Sequence, residues 1–304
     1  MKMIYKSEKQ SIHTGSSMNN TLESKGLFAG KVSVKPDSKK VNEDYLTYSS
    51  ALIQPDEEVH IAIIADGMGG YSAGDAASYY AVNFILKWWK STVWTHQSAE
   101  SFMNECETSI IDAFHEINHD LIEFGRLENK KIGTTLSVIL YAENRYYICH
   151  IGDTRIYRFR ERVLEKENPS DDTIDLNQEK SLIQLTEDHS WANEQLKYGH
   201  MEVEEARAHE KANYLTQCLG VEGEIQPFTA SGSFTYADYF LLSTDGFHDL
   251  FSADLLREEW CKHVEEGTSM QGVCDHFYGM IKASQFQDDA SLIAVNIGKR
   301  ADDQ

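Results

Sequence analysis

Two stretches of the chain carry their apolar residues on a helical stripe. Ala77, Tyr80, Ala81, Phe84, Ile85 and Trp88 fall at i, i+3, i+4, i+7, i+8 and i+11. Met103, Cys106, Ile110, Ala113, Phe114, Ile117, Leu121 and Phe124 continue that spacing over about six turns. Both predict amphipathic helices whose stripes are core. Elsewhere the pattern is strand-like. Residues 59–65 (VHIAIIA) are apolar almost throughout and predict a buried strand that stops at Asp66-Gly67-Met68-Gly69-Gly70. Further strands are expected at 44–48, 134–142, 146–151, 155–159, 182–185, 239–244 and 291–297. Glu143-Asn144 sits where a tight hairpin turn is expected, because Asn tolerates positive φ. Later helices are expected at 187–199, ending on Gly199, near 249–263, and at 270–282.

Helices in pairs and strands in clusters favour α+β over an alternating parallel sheet. Residues 1–25 are polar and without periodicity, and are expected to form a tail, as are 299–304. A polar run at about 161–180 (beginning ERVLEKENPSDDTIDLNQE) reads as an expanded hairpin loop or an insertion. The folded domain is expected over 26–298, with no internal repeat and no composition shift to mark a second one.

Charge narrows the partners. Against 28 Lys and Arg stand 49 Asp and Glu, a formal net charge of −21. Such a surface repels nucleic acid and anionic membrane, since a phosphate backbone demands basic side chains. The acidity reads either as a solvated surface or, in part, as a cation site. The five cysteines include no CxxC pair, so neither a disulfide framework nor a zinc knuckle is suggested. With no run resembling a signal-peptide core and none of membrane-spanning length, a cytoplasmic location is expected.

The chemistry lies at strand ends. IAIIA runs into Asp66-Gly67, YICHI into Gly152-Asp153 and YFLLST into Asp245-Gly246, while Asp288-Asp289 precedes SLIAVNI. Each alone is an ordinary turn, for which Asp and Gly are favoured. Four carboxylates at the mouths of four core strands would crowd like charges together if the strands were neighbours, and such charges need a counter-ion. Oxygen ligands suit Mg²⁺ or Mn²⁺, whereas zinc prefers His or Cys. Two such ions can clamp a phosphoryl group during in-line attack. Glu43 and Asp44 could orient water on a metal, and Lys39 or Lys40 could meet a phosphate. His150 reads as a core residue. His248, close to Asp245 in sequence, is the one histidine expected to be worth testing as an acid.

The ordered blocks Val41-Asn42-Glu43-Asp44, Ala65-Asp66-Gly67-Met68-Gly69-Gly70, Gly133-Thr134-Thr135, Ile151-Gly152-Asp153-Thr154-Arg155, Leu185-Thr186-Glu187-Asp188-His189-Ser190, Leu215-Thr216-Gln217-Cys218-Leu219-Gly220, Ser243-Thr244-Asp245-Gly246 and Asp288-Asp289-Ala290-Ser291 resemble the motif series of the bacterial branch of PP2C-type (PPM) protein serine/threonine phosphatases. The resemblance runs from about residue 26 to 298. It implies a four-layer α-β-β-α sandwich, two central antiparallel sheets flanked by helices, with two Mn²⁺ or Mg²⁺ ions between the sheets. By motif position Asp66 would bridge both ions, Gly67 would bind through its carbonyl, and Asp245 and Asp288 would complete the first. Asp153 with Asp245 matches a third, weaker metal position. Glu43 and Asp44 would hold metal-bound waters, and a flap would span about 189–213. The implied activity is hydrolysis of phosphoserine and phosphothreonine by a metal-bridging hydroxide. The substrate would be a phosphorylated protein, set against a cognate kinase.

The chain departs from that pattern at four places. Lys39 stands where the family usually has a phosphate-binding arginine, Asp289 where it usually has asparagine, and Met68 where animal members carry a histidine. The flap reads His209-Glu210-Lys211-Ala212-Asn213 instead of an HPxRN-like run. Lys39 and Asp289 motivate the alternative of a catalytically weak or silent regulatory binding module, against which the retained aspartates argue. A small-molecule two-metal phosphoesterase is a further rival, without a supporting motif.

Overall fold

The computed structural model describes residues 27–55, 57–68, 73–161, 180–235 and 237–297. The expected tails at 1–25 and 299–304 and nearly all of the 161–180 insertion lie outside the described residues. Parity along one strand explains the layering. In β3 (Glu57–Met68) the side chains of Ile61, Ile63 and Ala65 join the core beneath two helices, α1 (Gly74–Val93) and α2 (Ala99–Glu128). The alternate residues Ala62 and Ile64 pack into a second core shared with Ile156, Phe240, Leu242, Ile293 and Val295. Successive side chains of a strand point to opposite faces. This strand is therefore apolar on both because one face meets helices and the other meets a second sheet.

The sheet containing β3 has the order β2 (Asp44–Gln54), β3, β5 (Leu136–Ala142), β6 (Arg145–Ile151), β9 (Phe228–Ser233), with the short β4 (Gly133–Thr134) also paired to β3. The opposing sheet has the order β1 (Leu27–Val34), β11 (Ala290–Ile297), β10 (Asp238–Ser243), β7 (Arg155–Glu161), β8 (Lys180–Gln184). All the pairings are antiparallel. Its outer face carries α5 (Asp245–His248), α6 (Ala253–Glu265) and α7 (Met270–Ala283), whose Phe247, Trp260 and Phe277 pack with Phe159, Leu241 and Leu292. The expected α+β, four-layer α-β-β-α sandwich is what the chain adopts.

Several boundaries differ from expectation for local reasons. Strand β3 continues through Asp66 to Met68, because Gly67 and Met68 pair with Thr134 and Gly133. The helix expected at 187–199 is only α3 (Trp191–Lys197); His189 first donates its backbone N–H to the Gly152 carbonyl, and Ser190 then caps the helix. The helix expected near 249–263 is α6, which starts later, after its cap Ser252, and the short α5 precedes it. Three elements were not anticipated. β1 carries a glycine, Gly30, in its middle, β9 is built largely of small residues, and α4 (Val203–Ala208) is a short polar helix. The Glu143-Asn144 turn is as expected, with φ of 48° and 61°.

Phe240 is fully buried at the centre of the inter-sheet layer, with edge-on ring contacts to Tyr141, Tyr146 and Phe234. Tyr141 is also fully buried, and its hydroxyl has no hydrogen-bond partner. Phe240→Ala should therefore lower stability by about 3–5 kcal/mol in urea unfolding. Tyr141→Phe should leave stability unchanged or raise it, because it removes an unsatisfied buried polar group.

Candidate metal centre

Antiparallel registers bring the strand ends with aspartates to one mouth of the sandwich. In the first sheet Asp44 lies directly opposite Asp66 across the β2–β3 pair. In the second, Ser243 pairs with Leu292 and with Arg155, so the end of β10, the start of β11 and the start of β7 coincide. Two hydroxyls tie the sheets together there. Thr244 donates its hydroxyl to Asp44 Oδ2 at 2.9 Å while accepting the Ser291 backbone N–H at 3.0 Å. Asn42, one residue before Glu43, donates to Ser33 Oγ at 2.7 Å, and the Ser291 and Ser33 hydroxyls are 2.8 Å apart.

Backbone contacts hold Asp66 from both sides. Its N–H donates to Thr135 Oγ1 at 2.8 Å, and its carbonyl accepts the Thr134 hydroxyl and the Thr135 N–H at 2.9 Å each. Two glycines are required here by close approach. A Cβ on Gly67 would lie 2.0 Å from the Gly74 carbonyl oxygen and 2.8 Å from that of Glu43. A Cβ on Gly246 would lie 2.1 Å from the Asp289 carbonyl oxygen, so Gly246 lets the start of α5 sit against the 288–289 segment.

The electrostatics are those of crowded like charges. Burial, then the charges of Asp44 and Asp245, hold the Asp66 carboxyl well above the usual range. Asp66 and Asp245 also contact each other directly. Asp44 is raised too, chiefly by burial, against the stabilising hydrogen bonds of Ser291 and Thr244. Asp153 is pushed up to about 8 by burial and by the charges of Asp245 and Asp188. Asp288 stands at the exposed rim, within electrostatic range of Asp245. Its carboxylate is paired with Lys39, whose ammonium also reaches Asp289 at 3.1 Å and Glu43 at 3.5 Å. Burial alone would lower the Lys39 pKa, but the hydrogen bonds and charges of Asp288 and Asp289 outweigh it and raise it.

The donor set fits a hard cation. It consists of oxygens only, and two buried carboxylate oxygens, Asp44 Oδ1 and Asp289 Oδ1, have no hydrogen-bond partner. Among the described residues, no three of the aspartates bring carboxylate oxygens within 4.8 Å of one another.

Some neighbours were not anticipated from sequence. Asp188 takes a two-pronged bond from Arg155, with Nε 3.0 Å and Nη2 2.6 Å from Oδ2, next to Asp153. Asp188 and Arg155 each lie in a motif block quoted above, but neither block marks their pairing. His248 corrects an expectation. It is buried, its Nδ1 lies 3.1 Å from Ser243 Oγ, and burial followed by the Arg155 charge keeps its pKa well below the ordinary value. A neutral imidazole cannot serve as the acid at neutral pH. His150 is a core residue as expected, 2.7 Å from Ser137 Oγ and 3.1 Å from the Glu187 carbonyl. In the expected flap, His209 stacks on Trp191 with ring centroids 4.3 Å apart.

A double antiparallel sheet flanked by helices, with an all-oxygen carboxylate cluster at one mouth, is the architecture of a divalent-metal hydrolase. Comparison with known proteins narrows the class: the family model "Protein phosphatase 2C" matches residues 36–276, which include all of the cluster but Asp288 and Asp289. The chain belongs to the protein phosphatase 2C family. It is 33% identical over 192 residues to the serine/threonine phosphatase stp of Listeria monocytogenes, covering 62% of this chain and 67% of that one. In fold it resembles the serine/threonine phosphatase of S. agalactiae, with a TM-score of 0.72, 20% identity, and coverage of 89% and 99%. A further similar structure is the catalytic domain of serine threonine protein phosphatase PstP in complex with two manganese ions, with a TM-score of 0.67, 20% identity, and coverage of 90% and 99%.

A carboxyl that the fold keeps protonated binds its proton more tightly folded than unfolded. In the chelator-treated protein, Asp153 should therefore weaken the fold progressively as pH rises from about 4, where an unfolded aspartate ionises, towards its folded value of about 8. The stability of Asp153→Asn relative to the parent, from urea unfolding at each pH, should grow across that window and level off above it. A difference independent of pH would contradict this account.

Proposed function

We propose that this chain hydrolyses phosphoserine and phosphothreonine in phosphoproteins, with divalent metal held by Asp66, Asp245, Asp288 and the Gly67 carbonyl, and Asp153 serving an accessory ion. The observation that carries this reading is the convergence of strand-end aspartates on one mouth, with two buried carboxylate oxygens left unpartnered. Two ions, Mn²⁺ or Mg²⁺, suit the oxygen donors, and a manganese pair occupies one structural relative. When bound, such ions supply Lewis acidity and a nucleophile drawn from water at neutral pH.

The chain's own groups do the rest. Thr244 fixes one oxygen of Asp44 and leaves the other directed to accept a proton from water. The Glu43 carboxylate, about one-fifth exposed, borders the same space. Asp289 holds Lys39 at the rim, where its ammonium can meet the phosphate. The new P–O bond forms to the water oxygen as the bond to the serine or threonine oxygen breaks, and that oxygen takes up a proton. His150 and His248 are both buried, with pKa values lowered chiefly by that burial, and neither is assigned as its source. A kinase that installs these phosphates is the expected counterpart.

The test is hydrolysis of a phosphothreonine peptide with Mn²⁺, with Mg²⁺ and with chelator. Activity should require metal, and Asp66→Asn should lower kcat by ~10³-fold or more, the scale of losing several kcal/mol of metal stabilisation. Turnover that survives chelation would refute the metal reading; metal binding without turnover would favour a silent binding module. Lys39→Met should raise KM more than it lowers kcat, with Lys39→Arg recovering affinity through its fork of donors.

A further inference from the structure

The outer helix layer holds a group of side chains that the phosphatase site does not use. Glu259 and His263 lie one turn apart on α6, and His276 faces them from α7; one ligand atom of each lies within 4.8 Å of the others. Helices α6 and α7 are joined by a short turn closed by two backbone hydrogen bonds. The Thr268 N–H donates to the His263 carbonyl at 3.0 Å and the Gly267 N–H to the Val264 carbonyl at 3.2 Å, with Gly267 at φ +64°. These are the paired bonds of a Schellman cap. The cap brings Thr268 Oγ1 to 3.3 Å from His263 Nδ1. A His263 tautomer that donates from Nδ1 leaves the Nε2 lone pair free.

That Nε2 atom decides between two readings. A hydrogen-bond network accounts for the rest: His276 Nε2 is 3.0 Å from Glu259 Oε2, and Lys262 is 2.8 Å from Glu259 Oε1. It does not account for His263 Nε2, which is buried without a partner. Its ring stands nearly edge-on to His276, with centroids 4.5 Å apart. Two imidazoles and a carboxylate, one imidazole oriented through its other nitrogen by a hydroxyl, are the makings of a three-ligand site with water in the fourth position. Burial, then the neighbouring His276, lowers the His263 pKa, which keeps the imidazole in its ligating neutral form. His276, 37% exposed, leaves a path from solvent.

We propose that Glu259, His263 and His276 form a zinc site that clamps α6 to α7, separate from the oxygen-ligand centre. Nitrogen donors favour Zn²⁺ over Mg²⁺, so the two centres select different ions. The test is calorimetric titration of the full chain with Zn²⁺ in excess Mg²⁺, repeated on Asp66→Asn, with Co²⁺ absorption as a second readout. One Zn²⁺ per chain should bind in both, and Co²⁺ should give a tetrahedral visible band. His263→Ala and His276→Ala should weaken binding by more than the ~10–100-fold that losing a supporting group costs. The near-isosteric Glu259→Gln, which guards against a folding defect, should weaken it too. Mg²⁺-supported phosphatase activity should be unchanged in all three. Absence of zinc binding in the parent, or equal affinity in the three variants, would overturn the proposal.

Discussion

Repulsion among carboxylates at the mouth of the sandwich is the constraint on which the rest of the structure depends. Asp44 and Asp66 are directly opposed across a β-ladder, a placement that costs stability when both are charged. Asp66 also meets Asp245, and Asp153 lies in reach of the same charge. The chain tolerates this only because two sheets, two helical layers and three hydrophobic cores hold the strand ends in place. The apolar middle of the inter-sheet layer fixes the positions, and the polar end of that layer uses them. Protonation relieves the repulsion, which is why burial and like charge hold Asp66 and Asp153 above the ordinary carboxylate range.

Much of this was legible in the chain, for definite reasons. The helical stripes of α1 and α2 are long and regular, and the doubly buried β3 announces itself by its apolar run. The strand-end aspartates stood out because each follows or precedes such a run. What escaped was long-range. Nothing local marks Thr244 as the bridge to Asp44, two hundred residues away in sequence, or Asp188 as the partner of Arg155. Element ends were misjudged where a tertiary bond overrode the local signal, as at Gly67, whose pairing with Thr134 carries β3 past an Asp-Gly turn sequence. The histidine at 248 was misread for a related reason. Proximity to Asp245 in sequence suggests catalysis, whereas burial, invisible to sequence, removes its proton.

Lys39 and Asp289, beside the cluster, act as one unit in physical terms. Asp289 adds a negative charge at a side chain only 2% exposed, where an uncompensated carboxylate would be costly. One of its oxygens accepts the Glu43 N–H at 2.8 Å and the Lys39 ammonium at 3.1 Å. The compact Lys39 ammonium contacts Asp288, Asp289 and Glu43 together. Asp289 thus supplies the anchor that Lys39 needs at the rim. The charge that Asp289 brings to the mouth is balanced by the reach of Lys39, which ties the 39–43 and 288–289 segments together.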